Sequence, residues 1–219
     1  IGLVPRLARR LELLEWASRR RSWIIEDDYD SEFRYDGKPL SALQGLDREN
    51  RVIYVGTFSK VMFPSLRLGY LVVPPDLVET FTNSLAFTAY HVPVLEQLAL
   101  TDFIGEGHFS RHIRRMRALY AERQEVLLAE MNKKLSGFLG VEKEVAGMHL
   151  IGWLKNDFDD LTTAKTALEH GVFVPPLKFF CVREKLPAGL LIGYTGVSPK
   201  EIRTGVERLE NAFESLLKP

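Results

Sequence analysis

Apolar and polar positions recur with two different periods along this chain. Between Leu3 and Arg20, Leu7, Leu11, Leu14, Trp16 and Ala17 fall at near-helical spacing among Arg and Glu, which predicts an amphipathic helix. Trp23-Ile24-Ile25 is a short apolar run closed by Glu26-Asp27-Asp28, the pattern of a buried strand that ends where the chain meets water. After a polar loop containing Asp36-Gly37-Lys38-Pro39, Val52 to Val55 predicts a second strand ending at Gly56 and Thr57. Leu68 to Val73 predicts a third, stopped by Pro74-Pro75. Asp76 to Ile104 reads as helical with an interruption near His91-Val92-Pro93, because proline lacks the N–H that a helix interior needs. Beyond Gly105 to Gly107, Ile113, Met116, Leu119, Tyr120, Val126 and Leu127 mark one face of a long helix whose other face is rich in Arg and Glu.

The remainder reads as smaller pieces. Gly147 to Leu154, Gly171 to Val174 and Leu190 to Tyr194 are expected strands, Leu161 to His170 an expected helix. A last helix is expected from Ser198-Pro199-Lys200-Glu201, where serine suits the cap and proline the first turn. Short, continuously apolar strands alternating with helices predict an α/β fold: a parallel or mixed sheet with helices on both faces, and ligands at the strand ends. A length of 219 residues suits two unequal parts, taken as residues 1–104 and 105–219, the second entered by the long helix. There is no internal repeat.

Composition narrows the picture by exclusion. Twenty-nine basic residues balance twenty-nine acidic ones, so the chain has no general attraction to nucleic acid or anionic membranes. The single cysteine, Cys181, rules out an internal disulfide and suits a reducing, cytoplasmic setting. No stretch approaches the roughly 20 apolar residues that span a bilayer, so no membrane segment is expected. The chain opens on Ile1 with neither a methionine nor a signal-peptide core, which reads as an internal or truncated piece.

Candidate chemistry gathers at two of the expected strand ends. Lys60 is the one charged residue between Arg51 and Arg67. An amine in such apolar surroundings is expected to be partly desolvated, which supplies the neutral form that attacks an aldehyde. The alternative is a lysine reaching from a strand end to solvent. Thr57, Ser59 and Arg67 can hold a phosphate through two hydroxyls and a forked guanidinium, or form an ordinary turn with an exposed arginine. Glu26-Asp27-Asp28-Tyr29-Asp30 sets carboxylates and a phenol at another strand end. A carboxylate against a pyridine nitrogen keeps it protonated and makes the ring an electron sink; the alternatives are a solvated turn or a helix cap. Asp28, Asp30 and Glu32 alternate like cation ligands, yet Phe33 stands where an EF-hand loop needs glycine. Arg111, Arg114, Arg115, Arg117 and Arg123 are interleaved with Glu122 and Glu125 and read as a solvated helix face. His91 and His149 receive no role.

Three runs carry a resemblance: Ile-Glu-Asp-Asp-Tyr-Asp-Ser-Glu-Phe-Arg-Tyr from Ile25, Ile-Tyr-Val-Gly-Thr-Phe-Ser-Lys ending at Lys60, and Phe-Pro-Ser-Leu-Arg-Leu-Gly-Tyr from Phe63. They closely resemble the aminotransferase-like domain of MocR-type regulators of the GntR family. Weaker similarity continues through Ala146-Gly147-Met148-His149-Leu150 and Gly171-Val172 to the last helix. The resemblance implies the C-terminal part of a fold-type I pyridoxal phosphate domain: part of the large domain with its mixed sheet, then the smaller α+β C-terminal domain. It makes Lys60 the Schiff-base lysine, Asp27 the partner of the pyridine nitrogen and Tyr29 the partner of its phenolic oxygen. Thr57, Ser59 and Arg67 become phosphate contacts. It implies amino transfer or imine exchange with an amino acid or amine, a homodimer, and, in a regulator, DNA binding only through an upstream winged-helix domain absent from this chain. The N-terminal half of the large domain is expected to be absent as well. One departure stands out. Relatives that bind an amino acid often carry arginine in a strand of the form Arg-Leu-Gly-Phe, and Leu191 occupies that position in Leu191-Ile192-Gly193-Tyr194.

Overall fold

The computed structural model describes residues 7–37, 40–89, 92–182 and 186–217. The chain divides into two compact units, one of Ile1–Glu32 with Gly37–Ile113, the other of Phe33–Asp36 with Arg114–Pro219. The division falls inside the long helix, where the sequence puts a boundary at 104–105.

The first unit opens with α1 (Leu7–Arg20), which buries only Arg10 and Ala17. Strands β1 (Ile24–Asp28), β2 (Val52–Thr57) and β3 (Gly69–Val72) follow, then α2 (Val78–Thr88), α3 (Val94–Gly105) and the start of α4 (His108–Lys134). The sheet order is β1-β2-β3; β1 and β2 are parallel, β2 and β3 antiparallel, so the sheet is mixed. Buried Val52, Ile53, Val61 and Leu68 form its core. Pro93 precedes α3 as its cap, in keeping with the expected interruption, while His91 lies outside the described residues.

The expectation that Trp23-Ile24-Ile25 is a buried run is overturned. Ile25 is 71% exposed and Trp23 is exposed too, its ring lying under the Arg51 guanidinium. Strand alternation sends Ile24 and Ile25 to opposite faces, and an apolar run alone does not reveal whether both faces are covered.

The second unit holds the rest of α4, then β4 (Leu139–Val141), β5 (His149–Leu154), α5 (Asp160–Glu169), β6 (Gly189–Gly193) and α6 (Pro199–Leu217). Its sheet is antiparallel throughout, in the order β4-β5-β6. Met131, Leu135, Leu150, Leu190, Val206 and Phe213 are among the side chains of one apolar cluster that joins α4, the sheet and α6. Ser198 and Glu201 cap α6 reciprocally: Ser198 N–H donates to the Glu201 carboxylate at 2.7 Å and Glu201 N–H to Ser198 Oγ at 3.3 Å.

Two expectations fail in this unit. Gly171 to Val174 forms no strand. Pro175 and Pro176 follow it and lack ladder donors, leaving one bridge from Pro176 to Leu190 and one bond from Leu191 N–H to the Pro175 carbonyl. Strand β4, which the sequence reading leaves out, pairs with β5 through Leu139 opposite Leu154.

The segment Phe33–Asp36 belongs to this second unit although it directly follows the acidic run. Arg34 bridges Ala146, Gly147 N–H donates to the Phe33 carbonyl, and fully buried Phe33 packs on Tyr120 with ring centroids 5.0 Å apart.

Candidate functional site

The β1–β2 register fixes which residues share an edge. Asp27 lies opposite Val55 and Asp28 opposite Gly56, and across β2 Thr57 lies opposite Gly69. The C-terminal ends of β1 and β2 and the beginning of β3 therefore meet at one edge of the sheet. The chain reaches Lys60 three residues beyond Thr57, and Arg67 stands two residues before Gly69. The strand ends bring the six sequence-nominated residues, Asp27, Tyr29, Thr57, Ser59, Lys60 and Arg67, to this edge.

Alternation divides the acidic run between two faces. Asp27 shares a face with Ile25, Val55 and Thr57, whereas Glu26 and Asp28 share the other with Tyr54, Gly56 and Tyr70. Asp27 is exposed. Glu26 is spent on structure: its carboxylate accepts from Leu43 N–H at 2.6 Å and Gln44 N–H at 2.9 Å, with Arg10 3.7 Å away. Asp28 is also committed, accepting from Ser31 N–H at 3.2 Å and from the Tyr54 hydroxyl at 2.8 Å. Burial, with Asp30 and Asp27 nearby, raises the Tyr29 phenol above its ordinary value. Burial first, and then Asp28, pushes the Asp30 carboxyl up, while Lys60 pulls it back. The acidic turn and the lysine thus lie within electrostatic reach of each other.

The turn after β2 is internally ordered. Ser59 N–H donates to Thr57 Oγ1 at 3.2 Å, Met62 N–H to the Phe58 carbonyl at 2.9 Å, and Phe58 N–H to the Leu68 carbonyl at 3.0 Å. Arg67 sits in the left-handed region at φ 52°, ψ 32°, which costs an L-residue roughly 1–2 kcal/mol. Such conformations persist where the surroundings enforce them, and they cluster at ligand sites. Among the described residues, the side chains of Asp27, Lys60 and Arg67 make no hydrogen bond or ion pair.

The expected desolvation of Lys60 is not found: its side chain is exposed. The apolar residues around it in sequence turn elsewhere, Val61 into the core at 2% exposure and Phe58 onto Tyr70 and Phe109. Tyr54 and Tyr70 are site-edge residues that motif reading passes over. The period-2 pattern was the available signal, since it puts Tyr54 on the face of Asp28 and Tyr70 over Gly56. Among the described residues no group of three or more His, Cys, Asp or Glu is arranged to hold a metal, and no helix is long and apolar enough to cross a membrane.

The family model for aminotransferase class I and II matches residues 1–209. The chain belongs to that family. Among relatives of this aminotransferase-family chain, the probable rhizopine catabolism regulatory protein MocR of Rhizobium meliloti is 43% identical over 99% of the chain and 44% of the relative. The HTH-type transcriptional regulator YhdI of Bacillus subtilis is 41% identical over 99% of the chain and 46% of its own length. The chain thus spans about half the length of the relatives it matches. Among solved structures, the kynurenine aminotransferase of Pyrococcus horikoshii, crystallised with PMP, aligns at a TM-score of 0.89 and 28% identity over 100% of this chain and 54% of that one. The family fold is therefore present in both units, and the chain corresponds to the C-terminal portion of the longer MocR-type relatives.

Proposed function

We propose that this chain is the portion of an aminotransferase-like domain whose Lys60 would link to pyridoxal phosphate, and that an amino acid or related amine would displace Lys60 there. The observation that carries the reading is the convergence, at one edge of the β1–β2–β3 sheet, of an exposed amine, a carboxylate, a phenol, two hydroxyls and a guanidinium. That set offers a partner to each polar group of the cofactor, one each for the aldehyde, the ring nitrogen and the phenolic oxygen and three for the phosphate. When bound, pyridoxal phosphate supplies a protonated ring that withdraws electrons from a substrate carbon.

The chain's own residues have separable tasks. Lys60 presents the amine that links to the cofactor and afterwards moves a proton at the substrate carbon. Asp27 holds the proton on the ring nitrogen, and Tyr29 donates to the phenolic oxygen. Thr57, Ser59 and Arg67 would hold the phosphate, with two hydroxyls and a guanidinium as donors. Transamination of an amino acid with a 2-oxo acid is the reaction such a set performs in an enzyme.

A second reading is favoured by the identities: 43% and 41% to two regulators, against 27% to the aromatic-amino-acid aminotransferase 1 of Thermococcus litoralis. In it, the same amine exchange shifts a conformational equilibrium that an upstream DNA-binding domain senses, as part of a homodimeric cytoplasmic regulator. Leu191, where amino-acid-binding relatives often carry arginine, bears on which amine is taken in either case.

The test is direct. The chain incubated with pyridoxal phosphate is expected to develop an imine absorbance that borohydride fixes onto the peptide bearing Lys60. Lys60→Ala is expected to abolish it. An unchanged band in that variant, or none in the wild-type chain, refutes the assignment. Adding amino acids with 2-oxo acids then separates turnover from exchange without turnover.

A further inference from the structure

We infer that Tyr54 and Asp28 form a positioning clamp that holds the two ring-contacting residues, Asp27 and Tyr29, in register with the strand that delivers Lys60. The inference rests on the pyridoxal phosphate reading above and extends it to two residues outside the proposed set of cofactor contacts.

Asp28 stands between Asp27 and Tyr29 in sequence, and both its carboxylate oxygens are occupied. Oδ1 accepts from Ser31 N–H at 3.2 Å and closes the turn that contains Tyr29 and Asp30. Oδ2 accepts from the Tyr54 hydroxyl at 2.8 Å. Tyr54 is on β2, three residues before Thr57, and its Cα partner on β1 is Glu26, so its bond to Asp28 runs diagonally along the parallel pair toward the site edge. A slip or splay of β1 against β2 breaks that bond. While the bond is made, Asp28 is held to the Tyr54 face. Its neighbour Asp27 must then project from the other face, since successive strand residues point to opposite sides.

The tyrosine is itself fixed. Its ring lies 5.9 Å from that of Tyr70, Tyr70 lies 5.5 Å from Phe58, and Phe58 lies 6.0 Å from Phe109. The row of rings crosses from β2 to β3 and on to α4, on the sheet face away from Asp27. A bond from phenol to carboxylate is charge-assisted and stronger than a neutral pair, which suits a part whose task is to hold position. Burial, the bond to Asp28 and the neighbouring Tyr70 raise the Tyr54 phenol above its ordinary value, which favours the protonated, donating form.

Tyr54→Phe, which removes one oxygen and keeps the ring, tests the clamp in the full chain. Pyridoxal phosphate affinity is measured by titrating the imine absorbance, and the pH midpoint of that absorbance is followed in the same samples. Unfolding by urea reports stability separately. The expected result is an affinity loss of about tenfold and an upward shift of the pH midpoint. A Tyr29 hydroxyl out of place no longer stabilises the phenolic oxyanion, which then holds the imine proton more tightly. Asp28→Ala should give a similar loss, and the double variant little more than Asp28→Ala alone, because the two act through one bond. Asp28→Asn, which keeps one carbonyl acceptor, should recover part of the affinity. A wild-type chain with no imine band overturns the cofactor reading and the clamp together. A wild-type band with unchanged affinity and pH midpoint in Tyr54→Phe overturns the clamp alone, and a fall in urea stability without either change assigns the bond to folding only.

Discussion

Removing one hydroxyl from the core of the second unit tests whether its buried polar bonds carry stability. Tyr194 is fully buried; its hydroxyl accepts from Gln124 Nε2 at 3.1 Å and lies 2.9 Å from the Gly147 carbonyl and 3.2 Å from the Tyr35 hydroxyl. In Tyr194→Phe the ring keeps its place in the apolar cluster, so no cavity opens. The Gly147 carbonyl still accepts from Tyr35. The loss therefore falls on the Gln124 amide, in a residue only 1% exposed. A buried donor left without its acceptor costs about 1–3 kcal/mol, whereas replacing both partners by apolar groups is close to neutral. Hydrogen exchange reads this unit by unit: the most protected amides of β5, β6 and α6 should exchange about 5- to 150-fold faster. Adding Gln124→Met should recover part of the loss. Exchange in the single variant equal to wild type, or a double variant less stable than the single one, refutes the reasoning.

Two further outcomes follow from other local arrangements. A methyl group at Gly56 would lie 2.5 Å from Tyr70 Cε1 and 2.7 Å from its hydroxyl oxygen, so Gly56→Ala must drive that ring from the sheet. A loss of about 1–3 kcal/mol from overpacking is expected in the urea midpoint of the first unit; a midpoint within error of wild type contradicts it. In the second unit, the Thr162 N–H and hydroxyl hold the Asp159 carboxyl below its ordinary 3.8, and the Ser198 hydroxyl and N–H hold Glu201 below 4.5. A depressed folded pKa contributes stability that is fully present above the unfolded values and lost as pH falls through the folded ones. The stability gap between wild type and Asp159→Asn/Glu201→Gln should thus be constant above 4.5 and close progressively as pH drops below it. Acid titrations with a gap that stays constant below 3.8 would contradict the capping assignment.

Much of the fold is legible in the sequence because periodic burial writes itself into residue choice. Helix α6 is an example: Ile202, Val206, Leu209 and Phe213 are buried at helical spacing, and Ser198 with Glu201 announces its start. What escapes is structure whose cause lies outside the local window. Ile25 and Leu71 have the composition of core strand residues, yet they are 71% and 41% exposed. Gly171 to Val174 is apolar enough for a strand, and Val174 is buried, but two prolines remove the donors that a ladder needs. The recruitment of Phe33–Asp36 into the second unit is equally invisible locally. Tyr35 N–H reaches the Val145 carbonyl across more than a hundred residues, and no periodicity encodes that pairing.

The candidate site shows the same division more sharply. The residue types at the strand ends were legible, and their nomination needed no coordinates. Their separate tasks came from the family resemblance alone, because Glu26, Asp27 and Asp28 are chemically near-equivalent in composition and spacing and differ by the direction of the pleat and by which donors arrive. Glu26 receives two backbone N–H groups from the loop at Leu43 and Gln44, and Asp28 receives a phenol and the N–H of Ser31. Asp27, on the opposite face, receives none of these and stays exposed. Glu26 and Asp28 are each held by two donors on the Tyr54 face, so on the proposed reading a ring nitrogen at this edge meets Asp27, the acid on the opposite face that no such donor holds in place. Shifting β1 by a single residue would exchange the tasks of neighbours: the free acid would become the clamp and the clamp the free acid. On the proposed reading, which carboxylate faces the cofactor is therefore a property of the β1–β2 register, and whatever holds that register would hold the site.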